Sequence, residues 1–264
     1  MSRERGLALV SVLWGVAILS LIAAAMLSAS VTSAHLGRNA WSAARAGSLA
    51  DAGVNRAILS LLDVRAAHQP RVDGTRATLN FDGVPVRVWI QDETGKINLN
   101  FASQDLLQSL FVSAGMERSE AGALADRIVA RRGPDGGLSG HIAFRSLDEL
   151  LAVPGMSPAW FARVAPALTV YGRSGTINQQ VAPREALRAL PDMDEQSIEH
   201  LLKLRDENRE TMPSTDDKSN PLGAAGSAFL VTVEVEIDGA HVVRTAAVQF
   251  TGDETKPYLI LAWR

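Results

Sequence analysis

Read for its apolar positions alone, the chain changes texture three times. Residues 7–27, "LALVSVLWGVAILSLIAAAML", hold 21 positions in a row without a charged side chain. A helix of that length rises about 31 Å and matches a hydrocarbon core of ~30 Å. The helical pattern continues to about residue 62, alanine-rich and without proline. There Leu27, Val31, Trp41, Leu49, Ala52, Arg56 and Leu59 recur at steps near three, four or seven. That spacing predicts one long helix, apolar at its start and amphipathic further on. Gly37, Gly47 and Gly53 are expected to weaken it locally and permit bends.

Beyond residue 62 the period shortens to two. The sequence predicts a strand near 78–81, a tight Asp82-Gly83 turn, and a strand over 84–91 with Val84, Val86, Val88 and Ile90 on one face. "AFLVTVEVEIDGAHVVRTAAVQF" repeats the design around Asp238-Gly239, and "PYLILAW" supplies a last short strand. Antiparallel hairpins with one apolar face need a cover, and the amphipathic end of the long helix is the natural one.

Between 99 and 212 helical patterns take over. Helices are expected over 103–114, 119–131, 146–152, 158–167, 183–190 and 194–208. Ser103, Ser119, Ser146, Ser157 and Asp194 stand as N-caps, and Glu149 completes a capping box with Ser146. The expected class is α+β: a long N-terminal helix on an antiparallel sheet, with an all-helical domain inserted between strands. The divisions are 1–6, 7–27 and 28–62 along the N-terminal segment, 77–98 for the first part of the sheet, 99–212 for the insertion, and 213–264 for the rest of the sheet.

Charge and composition narrow the chemistry. The formal net charge of −3 gives no general attraction to nucleic acid, and the chain has no cysteine. Disulfides, thiolate metal sites and cysteine nucleophiles are excluded. His35, His68, His141, His200 and His241 are scattered without a ligand-pair spacing. Ser139-Gly140-His141 lacks the flanking glycines of a nucleophile elbow. "RRGPDGGLSG" lacks a phosphate-loop lysine and a preceding strand, and reads as a connector. No catalytic constellation is found, so an enzyme is not expected. "STDDKSN", residues 214–220, is rich in oxygen ligands of the kind calcium takes, although a solvated turn explains it as well.

The first residues decide the topology. Arg3, Arg5 and the amino terminus outweigh Glu4, so this end stays cytoplasmic and everything after Leu27 crosses the membrane. "SAS" at 28–30 is compatible with removal of a signal peptide near Ala29 or Ser30, which would release a secreted product. The junction offers another reading. A short charged leader ending in Gly6 and running straight into an apolar helix resembles the signal of type IV pilins and type II secretion pseudopilins. The resemblance implies cleavage by prepilin peptidase between Gly6 and Leu7, methylation of Leu7, and retention of the helix in the mature protein.

One departure is informative. Most pilin-like subunits have glutamate at the fifth mature position, which here is Ser11. In the family that carboxylate compensates a neighbour's buried amine, since an unpaired charge in the membrane is costly. A subunit without it cannot pair upward and suits the filament tip. Together with "DETGKINLN" (residues 92–100) and the helical insertion, Ser11 makes the chain similar to the K subunits (GspK) among minor pseudopilins. The resemblance implies a pilin-like fold and a single pass through the inner membrane with a periplasmic C-terminal domain. It implies a tip complex with the I- and J-type minor pseudopilins, and dependence on prepilin peptidase and the inner-membrane assembly platform. It also implies contact with secreted cargo or the outer-membrane secretin, and calcium, for which Asp216 and Asp217 are the candidate ligands.

A weak internal repeat suggests a rival. "FRSLDELLAVPGMSPAWFARVAPAL" and "VAPREALRALPDMDEQSIEHLLKLR" both read as helix, L/V-P-x-M turn, helix. They resemble the helix-hairpin-helix units of membrane-anchored competence-type DNA receptors, whose glycine-rich hairpins approach a phosphate. The second unit has Asp192 and Asp194 where those glycines belong, and its helices have no basic face. No nucleic acid is expected as a partner.

Overall fold

In the computed structural model, the structure describes residues 4–63, 70–132, 143–172, 174–211 and 226–264, leaving aside the side chains of 4–11 and 208–211. Helix α1, Glu4–Leu62, has 59 residues and is about 88 Å long. It is helical straight through Gly37, Gly47 and Gly53, because no proline interrupts its ladder. Strands β1 (Asp73–Phe81) and β2 (Val84–Asp92) follow, then a 3-10 turn at Glu93–Gly95 and the two-residue strand β3 (Ile97–Asn98). Next come α2 (Gln104–Ser113), α3 (Arg118–Arg131), a 3-10 helix at Leu147–Ala152, α4 (Pro158–Val164) and β4 (Leu168–Thr169). Helices α5 (Arg184–Leu187) and α6 (Glu195–Thr211) precede β5 (Ala228–Ile237), β6 (Ala240–Phe250) and β7 (Tyr258–Trp263).

The main sheet has the order β1-β2-β5-β6-β7, every neighbour antiparallel. It is a meander opened between β2 and β5 to admit the helices. Both expected hairpins form. Asp82 and Gly83 have φ of 49° and 84°, and Asp238 and Gly239 have 48° and 80°. Two consecutive residues at positive φ make the turn whose twist matches the flanking strands. β1 begins at Asp73, earlier than expected, because this edge strand is polar and exposed over Thr75–Thr78 and offers no apolar alternation there.

The face α1 buries is not the stripe expected from its large residues. Ser42, Ala46, Ala50, Val54, Ala57, Ile58 and Leu61 lie against the sheet, whereas Trp41 is 72% exposed and Leu59 and Arg56 also face outward. Small side chains win the inner face because they let helix and sheet approach closely. Gly53 shows how closely: a Cβ there would lie 2.8 Å from Val233 Cγ1 and 3.1 Å from Val86 Cγ1. The rest of this core comes from Val86, Val88 and Ile90 of β2 and their neighbours on β5 and β6. In it Phe229 meets Phe250 edge-on, centroids 5.5 Å apart.

The helical block has a core of its own, built on Phe111, Leu124, Ile128, Phe144, Leu150 and Ile198. Ile97 and Leu99 belong to it. Ile97 and Asn98 pair in parallel with Leu168 and Thr169, so the first part of the sheet spans 73–92 rather than 77–98. The second part begins at Ala228, and 213–225 lie outside the described residues.

Inside the block most caps fall where the sequence places them. Ser103 accepts from Leu106 N, Ser157 from Trp160 N, and Asp194 from Ser197 N. The cap of α3 is Glu117 instead of Ser119: its Oε2 accepts from Ser119 N at 2.8 Å and Glu120 N at 3.3 Å. A carboxylate there also meets the positive end of the helix. The 146–152 segment is 3-10 rather than α over Leu147–Ala152. α5 keeps only four of its eight expected residues, and α6 extends to Thr211.

Candidate assembly helix and insertion junction

α1 divides at Ser42. From Val12 to Trp41 no side chain is buried, whereas Ser42 is 6% exposed and begins the sealed part. Leu13, Trp14, Leu19, Leu21, Met26 and Leu27 all stand open. An 18-residue window in this stretch has a mean hydropathy of 2.3 with none of it buried, long and apolar enough to cross a membrane. Gly6, Leu7 and Ser11 lie on the helical backbone ahead of this run, and their side chains are outside the described residues. So large a continuous apolar surface is stable only in lipid or against other proteins.

At its far end the sheet hands over to the helical block through 92–100, where Asp92, Glu93, Thr94 and Lys96 bond to one another and Asn98 and Asn100 reach into the block. Asp92 Oδ1 accepts from Thr94 N at 2.8 Å and from Thr94 Oγ1 at 2.7 Å; burial still pushes its carboxyl above the ordinary range. Gly95 is pressed on the Val181 carbonyl: an added Cβ would sit 2.6 Å from that oxygen. Lys96 Nζ and Glu93 Oε1 form a buried pair at 2.8 Å. Asn98 Nδ2 donates to the carbonyls of Tyr171 (2.8 Å) and Gly172 (3.2 Å), and its Oδ1 accepts from Asn100 N. Asn100 in turn holds the backbone of Phe144.

A second clamp joins β1 to α6. Arg71 donates to Asp73 Oδ2 at 2.7 Å and to Asp206 Oδ1 at 2.5 Å. Burial raises the Asp73 pKa, but the Arg71 guanidinium and the Thr75 hydroxyl and N–H outweigh it and leave the carboxyl below its ordinary value. Between sheet and block lies a cavity of about 550 Å³ lined by Arg71, Trp89, Gln91, Arg184 and Arg205. Arg205 Nη1 donates to Ala182 O at 2.9 Å, and burial lowers its pKa. The long-range bonds, Arg71 to Asp206, Asn98 to Tyr171 and Gly172, and Asn100 to Phe144, were not legible in the sequence, since those partners are remote along the chain.

The repeated hairpins share one backbone feature at the turn. The third residue of each L/V-P-x-M turn is left-handed, Gly155 at φ 94° and Asp192 at φ 65°. The second hairpin is poorly suited to a phosphate. Asp192 and Asp194 bring carboxylates, Arg184 is bonded to Glu195 and Glu199, and Arg188 to Glu195. The two arginines before the turn are therefore already paired, against the accumulated positive charge phosphate binding needs.

The remaining candidates stay apart. His35 meets Arg38, His241 meets Glu234 at 2.9 Å, and His68 and His141 lie outside the described residues. Asp216, Asp217 and the Gly-rich loop from Gly133 to Gly140 lie there too. Among the described residues no group of three histidines or carboxylates could hold a metal ion.

No family model matches the chain, and no curated protein matches it. Among solved structures it is similar to a chain of the GspK-GspI-GspJ complex from the enterotoxigenic Escherichia coli type 2 secretion system. The two are 12% identical over 89% of this chain and 98% of that one, with a TM-score of 0.45.

Proposed function

We propose that this protein is a K-type minor pseudopilin of a type II secretion system, anchored in the inner membrane by 7–27 with its folded part in the periplasm. The observation that carries the reading is the two-part helix. One continuous rod leads from the leader junction to Leu62, bare from Val12 through Trp41 and sealed onto a sheet from Ser42 onward. A removable signal peptide has no need to be one helix with the folded domain, whereas a subunit that transmits its position to a membrane assembly does.

In this reading prepilin peptidase cuts after Gly6 and Leu7 becomes the methylated terminus. Ser11 offers no carboxylate to a preceding subunit, so growth proceeds beneath this one. The helical block, held to the sheet by the 92–100 joint and the Arg71 clamp, caps the filament. I- and J-type minor pseudopilins would complete the tip, which meets cargo or the outer-membrane secretin. The role is mechanical and requires no catalytic group.

The intact mass of the chain purified from membranes tests this. A mature protein beginning at Leu7 and heavier by one methyl group is expected. A product beginning near Ala29 or Ser30 and free in solution would refute it.

A further inference from the structure

One outward face of α1 carries charge of one sign. Between residues 12 and 62 the charged side chains of the helix are Arg38, Arg45, Asp51 and Arg56. Asp51 already accepts from Arg244 Nε at 3.0 Å. Arg38 meets only His35 Nδ1, at 3.2 Å, and Arg45 and Arg56 meet no carboxylate among the described residues. At 3.6 residues per turn Arg38, Arg45, Leu49 and Arg56 fall in one sector about 40° wide, a third of a turn from the buried line. Arg38 and Arg56 are separated by five whole turns, about 27 Å.

Among the described residues, nothing covers the sheet next to this sector. α1 packs on β6, β5 and β2, and a groove of about 270 Å³ remains between the helix and β1–β2. Arg56, Ala57, Leu79, Val88 and Trp89 line it.

We propose that the face made by Arg38, Arg45, Leu49 and Arg56, with the groove beside it, docks an acidic amphipathic helix of a partner subunit. Its carboxylates stand about seven and then eleven residues apart, two and three turns, to meet Arg38, Arg45 and Arg56, and one apolar side chain enters the groove. This rests on the tip-subunit reading and names the chemistry of the neighbour.

Two other occupants fit less well. A second copy of this chain would present arginines to arginines, its one α1 carboxylate in this region being already bonded, and like charges reject such a contact. A lipid surface would reach Arg38, but Arg56 lies about 44 Å along the helix from Leu27, several screening lengths beyond the headgroups. Exposed ion pairs add little strength, so the arginines serve to select the partner while the groove anchors it.

The test uses the tagged full-length chain, co-expressed with the I- and J-type subunits of the same system and extracted in detergent. R38E/R45E/R56E should lower recovery of a partner at least tenfold, and R38K/R45K/R56K should restore it. R38Q/R45Q/R56Q should give an intermediate loss with an unchanged melting point, since all three side chains are exposed. Wild-type recovery by the glutamate variant, with the leader cut after Gly6, would overturn the docking face and leave the tip reading standing. A loss reproduced by R38E alone, and only in nanodiscs containing anionic lipid, would assign the face to the membrane and overturn it too. No partner recovered with the wild type and an uncut leader would remove both.

Discussion

Asn100 and Phe144, 44 residues apart, are joined by two hydrogen bonds: Asn100 Nδ2 donates to Phe144 O and Phe144 N donates to Asn100 Oδ1, both at 2.9 Å. One side chain imitates the pairing of a neighbouring strand and fixes the block's interior to the strand end that leaves the sheet.

Replacing Asn100 by leucine leaves a buried N–H and a buried carbonyl without partners, at about 1–3 kcal/mol each. Asn100→Leu is expected to lower the unfolding free energy by roughly 2–4 kcal/mol in denaturant titrations. Amide exchange at Phe144 should speed up with it. A change within experimental error would mean that the block is held elsewhere.

Gly95 and Gly53 mark two close approaches of different kinds. At Gly95 the obstacle is the Val181 backbone, which cannot rotate away, whereas at Gly53 it is two valine methyl groups. Gly95→Ala should therefore cost about 1–3 kcal/mol through overpacking. Gly53→Ala should cost less, because the gain in helix propensity of about 1 kcal/mol offsets part of the crowding. Thermal melts of both variants check the order; a Gly53→Ala variant less stable than Gly95→Ala contradicts it.

Acid should loosen the clamp between β1 and α6. The Asp73 carboxyl is held below its ordinary value in the fold, so its stabilisation is complete above the unfolded pKa of about 3.9 and is lost as pH falls through the lower folded value. Asp92, pushed up by burial, acts in the opposite sense, favouring the fold while protonated. Asp73→Asn should flatten the decline in stability below about pH 4, measured by melting at stepped pH. An unchanged acid limb would show that Arg71 draws nothing from Asp73.

The bare rod contributes nothing to the stability of the folded part. A chain starting at Ser28 and one starting at Trp41 should melt at the same temperature, since no side chain from Val12 to Trp41 is buried. A chain starting at Val54 should fail to fold, having lost Ala46, Ala50 and Gly53 from the helix–sheet seam. A large difference between the first two fragments would reveal a contact along the rod.

What the sequence disclosed follows the range of the interactions. Asp82-Gly83, Asp238-Gly239, the caps at Ser103, Ser157 and Asp194, and the strands of alternating valines are settled within a few residues, and all were legible. The face of α1 was not. Its large residues Trp41 and Leu59 suggested the core, but closeness to the sheet selected Ser42, Ala46, Ala50 and Gly53, a choice that depends on β2, β5 and β6. β3 and β4, Gly95 on Val181 and Asn100 on Phe144 join positions remote in sequence, so no local pattern announced them. The "DETGKINLN" stretch was singled out by resemblance; its role as a joint emerged only from the partners its side chains meet.

The central claim is that this subunit stands at one end of a filament with nothing above it. Labelling a single cysteine introduced into the otherwise cysteine-free chain, for example at Asp238 in the exposed β5–β6 turn, with gold allows its position to be read by electron microscopy of sheared filaments. The account predicts one label per filament, always at the same terminus. Labels distributed along the shaft would contradict it.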